Sequence, residues 1–256
     1  MSDMRTVTDD HLMVLTLNRP EKRNALTDAM YGDIADALNA AAHDADVHVA
    51  MIAGEGSDFC AGNDIQMFAE ANEAGGDLSG SNVAKFLSAL STFPKPLVAA
   101  VTGRAIGVGV TLLLHCDLVY VAEDADLRMP FIDLGLVPEA GSARLLPARI
   151  GHVRAFELFG LAKPLDGRQA AGLGIANAAL PSADVKAAAE AAARALARKP
   201  PAALAATKAL MRDAEAIRVA IDAETDAFLE RLASPEAAAA FAAFMTRKKP
   251  APAGAG

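Results

Sequence analysis

Two glycine-bearing turns, Cys60-Ala61-Gly62 and Gly107-Val108-Gly109, are where this sequence concentrates its main-chain chemistry. Each follows a strand-like run and opens a helix, so each directs free N–H groups and the positive end of a helix dipole at one point. The group expected there is negative: a phosphate, a carboxylate, or an oxyanion that exists only during a reaction. Two N–H groups meeting one carbonyl oxygen form an oxyanion hole, and losing one such donor costs about 2.7–4 kcal/mol of transition-state stabilisation. Taken singly, each turn is better explained as a helix cap.

Other chemistries fit less well. The dinucleotide fingerprint needs a third glycine where Leu112 stands, and no Walker lysine follows. No G-x-S-x-G elbow offers a serine nucleophile. The five histidines, His11, His43, His48, His115 and His152, have no metal-ligand spacing, and His115 in an apolar run reads as a core residue. Cys60 has no base beside it in sequence and reads as a small buried residue. Among the carboxylates, Glu139 follows Leu134-Gly135-Leu136-Val137-Pro138 and precedes a helix, where the dipole alone favours an acid by about 0.3–1 kcal/mol. Asp117, Asp124, Asp126 and Asp133 read as cap, turn or surface residues.

The elements that would position these groups alternate between strand and helix. Leu12–Leu17 predicts a strand, and a loop through Asn24 leads to an amphipathic helix from the N-cap Thr27 to about Asp44. Val49–Ala53 and Leu97–Val101 predict buried strands, each delivering the chain to one of the two turns. An apolar helix is expected through Leu114, then a strand over Leu118–Ala122 and an acidic turn over Glu123–Asp126. Beyond Ser142 the chain reads as helical and alanine-rich to about Leu232. The pattern is α/β. Glu70–Asn82 reads as a loop or lid, and residues 248–256 as a disordered tail.

Bulk properties narrow the partners. The 256 residues are 53% hydrophobic and 22% charged, enough for one sizeable core. A formal charge of −8 without clustered Lys and Arg excludes nucleic acid as the natural partner. No apolar run approaches the ~20 residues that span a bilayer. Charged residues from Asp3 to His11 occupy the place of a secretory signal, and Cys60 and Cys116 form no disulfide framework. A cytoplasmic protein is expected.

In chain order, Asn24-Ala25-Leu26 after a basic loop, Phe59-Cys60-Ala61-Gly62-Asn63-Asp64-Ile65, Lys95-Pro96-Leu97-Val98-Ala99-Ala100-Val101, Gly103 to Gly109, Cys116-Asp117 and Leu134 to Pro138 resemble the enoyl-CoA hydratase/isomerase (crotonase) superfamily. The resemblance runs from about Leu12 to Leu180. It implies a crotonase-like fold of repeated β-β-α superhelical turns over residues 1–198. It further implies a C-terminal helical region, 199–247, used to build a homotrimer or dimer of trimers. The implied substrate is an acyl-CoA thioester, with no separate cofactor or metal, its oxygen held by the N–H groups of Ala61 and Val108. Valine at 108, where the family usually has glycine, keeps the N–H. Lys22 and Arg23 match the loop that binds the nucleotide end, with Lys248 and Lys249 as further cations. Ala25, Gly62, Asp64, Ile65, Gly107, Thr111, Phe131 and Pro138 complete the implied substrate site.

Hydratases of this superfamily use two glutamates, at positions that here hold Thr111 and Phe131. Glu139 after Pro138, with Thr111 and Gly62-Asn63-Asp64, resembles instead the Δ3,Δ2-enoyl-CoA isomerase branch, where one base moves a proton from C2 to C4. A hydratase or other lyase with a different acid, and a noncatalytic protein that binds CoA esters, are the alternatives.

Overall fold

The computed structural model describes residues 2–64 and 80–247 of the chain, with side chains through residue 243. Ile65, most of the expected lid and the tail with Lys248 and Lys249 lie outside the described residues.

The described residues form eight strands: β1 (Met4–Asp9), β2 (Leu12–Leu17), β3 (Val49–Gly54), β4 (Leu97–Val101), β5 (Arg104–Ile106), β6 (Leu118–Ala122), β7 (Asp126–Arg128) and β8 (Ala178–Leu180). One sheet runs in the order β1-β2-β3-β4-β6-β8, parallel except for the β1–β2 hairpin. Its inner strands are buried on both faces, which is why Val49–Ala53 and Leu97–Val101 are apolar without alternation.

The second sheet is the parallel pair β5–β7, continued by single bridges from Leu26 to Asn63, Cys60 to Ala105 and Leu127 to Leu165. After β2, β3, β4 and β6 the chain makes a pair in the second sheet, and after β2 and β4 it then turns directly into a helix. This is a spiral of strand-strand-helix turns, and it stacks the segments after β3 and β4 against each other.

The helices are α1 (Asp28–His43), α2 (Asn82–Thr92), α3 (Val108–Thr111), α4 (Ser142–Ile150), α5 (His152–Gly160), α6 (Gly167–Gly172), α7 (Ser182–Ala197), α8 (Pro201–Met211), α9 (Ala214–Leu232) and α10 (Pro235–Arg247). Thr27 caps α1 by accepting from the Met30 N–H at 3.3 Å, and Met30, Ile34, Leu38 and Ala41 form its buried stripe. The apolar helix expected through Leu114 is shorter than its composition suggests. Arg104–Ile106 are taken into β5, Gly107 breaks the chain at φ 55°, and only four α-helical residues precede a 3-10 turn over Leu112–His115. Asp126, expected in a turn, opens β7.

The C-terminal helices return onto the core of the same chain. α9 buries Ile217, Ile221 and Glu224 and packs against α4 and α2, and α10 packs against the 3-10 turn Ile132–Leu134. Among the described residues no helix is long and apolar enough to cross a membrane.

Candidate active site

The two turns lie against each other. Cys60 N–H donates to the Arg104 carbonyl and Ile106 N–H to the Cys60 carbonyl, both at 2.9 Å. A side chain on Gly109 would meet the Cys60 carbonyl oxygen at 2.7 Å, and one on Gly62 the Ile106 carbonyl oxygen at 3.1 Å. The glycines at 62 and 109 therefore permit the stacking. Val108 has a negative φ, and the positive φ falls on Gly107 just before it, at 55°, where glycine tolerates it. A valine at the first position of α3 is thus unstrained, and as the first helical residue it has no intrahelical acceptor for its N–H.

Ala61 is placed differently from expectation. Its N–H donates to the Arg23 carbonyl at 3.0 Å and so is not available to a ligand. Two residues on, Asn63 forms the bridge to Leu26 through its neighbours: Leu26 N–H donates to Gly62 O and Asp64 N–H to Leu26 O, each at 2.8 Å. That leaves the Asn63 N–H, like that of Val108, with no acceptor among the described residues. The Asn63 side chain is held by the buried Tyr31, whose Oη donates to Asn63 Oδ1. Because N–H groups alternate along an extended segment, pairing Ala61 with Arg23 frees residue 63, a consequence invisible without the partner strand.

Glu139 is half-buried and accepts a hydrogen bond from the Thr111 Oγ1. Thr111 itself is fully buried, one helical turn beyond Val108. The carboxylate is therefore tied to the helix that begins at the free N–H, rather than capping the helix that follows it. Burial pushes the Glu139 carboxyl up to about 7, the Thr111 hydroxyl works in the opposite direction, and the charge of Glu224 raises it further. Burial, then Glu139, then Cys60, also hold the Tyr31 phenol well above its ordinary range, so these groups share one enclosed space. Both cysteines are buried, with thiols pushed up to about 12, chiefly by burial; neither is a thiolate nucleophile.

Glu224, which carries no recognisable motif in the sequence, occupies the N-terminus of α4 in place of Glu139. It is 8% exposed, and its two oxygens accept from Gly141 N–H at 2.6 Å and Ala143 N–H at 2.7 Å. Between the two glutamates, Ala140 and Gly141 both adopt left-handed backbone, at φ 62° and 71°. For alanine this costs about 1–3 kcal/mol. The buried His115 holds the conformation: its Nδ1 accepts from Arg212 at 2.5 Å, so Nε2–H is the donor to the Ala140 carbonyl at 2.7 Å. Burial, reinforced by Arg212, lowers His115 to about 3 and keeps it neutral.

Lys22 and Arg23 are exposed and have no ion pair among the described residues. They stand in the loop whose Arg23 carbonyl and Leu26 bind the 60–64 turn, with Ala25 between them. The loop is pinned by the buried Asn24, which donates to the Glu55 carbonyl at 3.0 Å and the Asp58 carbonyl at 2.7 Å. Arg19 donates to Asp64 at 2.6 Å and to the Ala25 carbonyl at 3.1 Å. Asp64, expected at the substrate, thus acts first as the partner of Arg19, a residue the sequence did not mark. The Phe131 ring lies 4.0 Å from where a side chain on Gly107 would sit, and Pro138 is half-buried beside Glu139.

Fold and site together define an α/β protein of crotonase type. The chain belongs to the enoyl-CoA hydratase/isomerase family, whose pattern it matches over residues 8–252. It is similar to enoyl-CoA delta isomerase 2 of Rattus norvegicus, 34% identical over 241 residues. That match covers 91% of this chain but only 61% of the rat protein. A probable enoyl-CoA hydratase of Bacillus subtilis is 31% identical over 98% of both chains. Among solved structures, Pseudomonas aeruginosa OdaA superposes with a TM-score of 0.90 at 46% identity, over 96% of this chain and 99% of that one.

Proposed function

We propose that the protein is a Δ3,Δ2-enoyl-CoA isomerase with Glu139 as its single base. The observation that carries this reading is the placement of Glu139: an enclosed carboxylate pushed up to about 7, bonded to Thr111 on the helix that opens at the uncommitted Val108 N–H. The N–H groups of Val108 and Asn63 hold the thioester oxygen. As a proton leaves C2 of a 3-enoyl thioester, negative charge grows on that oxygen and the two donors stabilise it, each contributing about 2.7–4 kcal/mol. Glu139 takes the C2 proton and returns it to C4, giving the conjugated 2-enoyl thioester. A base near 7 is matched to this task, being about half ionised at neutral pH and basic enough to accept the proton. Lys22 and Arg23 meet the phosphates of coenzyme A.

Hydration needs a second carboxylate to hold water. Thr111 and Phe131 cannot supply it, and both oxygens of Glu224 are occupied by main-chain N–H groups. The test is a pair of assays on the purified protein. A 3-enoyl-CoA should be converted to the 2-enoyl thioester, and a 2-enoyl-CoA should be hydrated far more slowly. Rapid hydration without isomerisation would replace this reading with that of a hydratase, and binding without either reaction would make it a noncatalytic CoA-ester protein.

A further inference from the structure

A cavity of about 470 Å³ lies beyond the C-terminal end of the segment that begins at Val108, walled by Leu114, Leu145, Leu196 and Leu204 and by three cations, Arg149, Lys208 and Arg212. None of the two turns, Glu139 or Asn63 lines it. Lys208 is paired with Asp117 at 2.7 Å. The two arginines have no carboxylate within ion-pair distance among the described residues. Arg149 donates to the carbonyls of Leu114 and Ile175, and Arg212 to His115. Arg212 Nε is buried with no acceptor. Cys116 and His115, the neighbouring titratable groups, are neutral for the reasons given above. Three cations against one carboxylate leave an excess of positive charge in a largely apolar, open-sided cavity, in a chain whose net charge is −8. Arg149 is exposed and Arg212 half-buried, and the Arg212 guanidinium, bonded only to neutral acceptors, lacks the direct counter-charge that burial ordinarily requires.

We propose that this cavity is a binding site for a small amphipathic carboxylate, whose anionic group is taken by Arg212 and Arg149 and whose apolar body lies against Leu145, Leu196 and Leu204. A planar carboxylate suits guanidinium forks, and a cavity of this volume holds a chain of several methylenes. Octanoate is the probe, titrated calorimetrically into the full chain at low salt. The expected result is one octanoate per chain, weakened about tenfold or more by Arg212→Met or Arg149→Met. Octanol should bind about tenfold more weakly than octanoate, and inorganic phosphate should not compete. Thr207→Trp fills the cavity from its exposed rim without touching the cations, and should abolish binding even if an arginine variant fails to fold. Octanoate binding that survives Thr207→Trp would place the ligand elsewhere and overturn the proposal, as would equal binding of octanol or phosphate. Binding is read without turnover, so its failure is separate from any failure of the isomerase reading.

Discussion

The Glu139 carboxylate is governed by two neighbours that pull in opposite directions. The Thr111 hydroxyl stabilises the anion, and the Glu224 charge together with burial opposes it. If Glu139 is the base, activity requires its ionised form, so kcat/KM should rise with pH through about 7 and level off above. Replacing Thr111 by valine keeps the volume and removes a charge-assisted hydrogen bond worth about 1.5–3 kcal/mol. The Glu139 pKa should then increase, and the acidic limb of the pH profile should move to higher pH by about a unit or more. A limb that stays in place would mean that a different group titrates. Glu139 and Thr111 were legible in the sequence through the order of motifs around them. Asn63 was legible only as part of its motif, because which N–H in Ala61-Gly62-Asn63 is free depends on the Arg23 carbonyl and Leu26, some 40 residues away in the chain.

At the scale of elements, two contacts set the geometry. The first is the close approach of the turns after β3 and β4. In Gly109→Ala the added methyl meets a carbonyl oxygen at 2.7 Å, and because that oxygen belongs to the Cys60–Ala105 bridge it cannot step aside. Thermal unfolding should show a loss of about 1–3 kcal/mol, and isomerase activity should fall with it as the two N–H groups separate. The second contact joins α9 to α4 through Glu224. Glu224→Gln keeps one acceptor for the main chain but removes a negative charge near Glu139. The Glu139 pKa should decrease, and the acidic limb should shift to lower pH, opposite to Thr111→Val. A purely structural role for Glu224 would lower stability and leave the limb unmoved. The buried strands β2, β3, β4 and β6 and the helix α1 followed directly from apolar runs and the capping residue Thr27, whereas the exposed edge strand β1 and the helix α2 did not. The short strands β5, β7 and β8 were not legible either, since each is only three residues long, too short to show a periodicity, and is extended because a neighbour pairs with it.

For the whole molecule, the spiral explains how turns nearly fifty residues apart, at 60–63 and 107–109, are brought against each other. The C-terminal helices divide in role. α9 and α10 close over the core, whereas α8 leaves Leu210 90% and Met211 82% exposed, and α5 leaves Val153 81% exposed. Large apolar side chains left exposed in this way mark an association surface. Together with the family resemblance they lead to the expectation of a trimer. Light scattering on the eluting protein should give about three times 26.4 kDa, or six if trimers pair; a monomer mass at micromolar concentration would contradict it. Acyl chain length was not legible in the sequence, since composition marks Glu70–Asn82 as a loop without giving its path.

The central claim is that a single carboxylate moves the proton. Its most direct test follows the absorbance of the conjugated thioester as a 3-enoyl-CoA is turned over by the wild-type protein and by Glu139→Gln, which preserves shape and the bond from Thr111. The expected result is a decrease in kcat of about 10²–10⁴-fold with KM nearly unchanged. Wild-type turnover in Glu139→Gln would contradict the account.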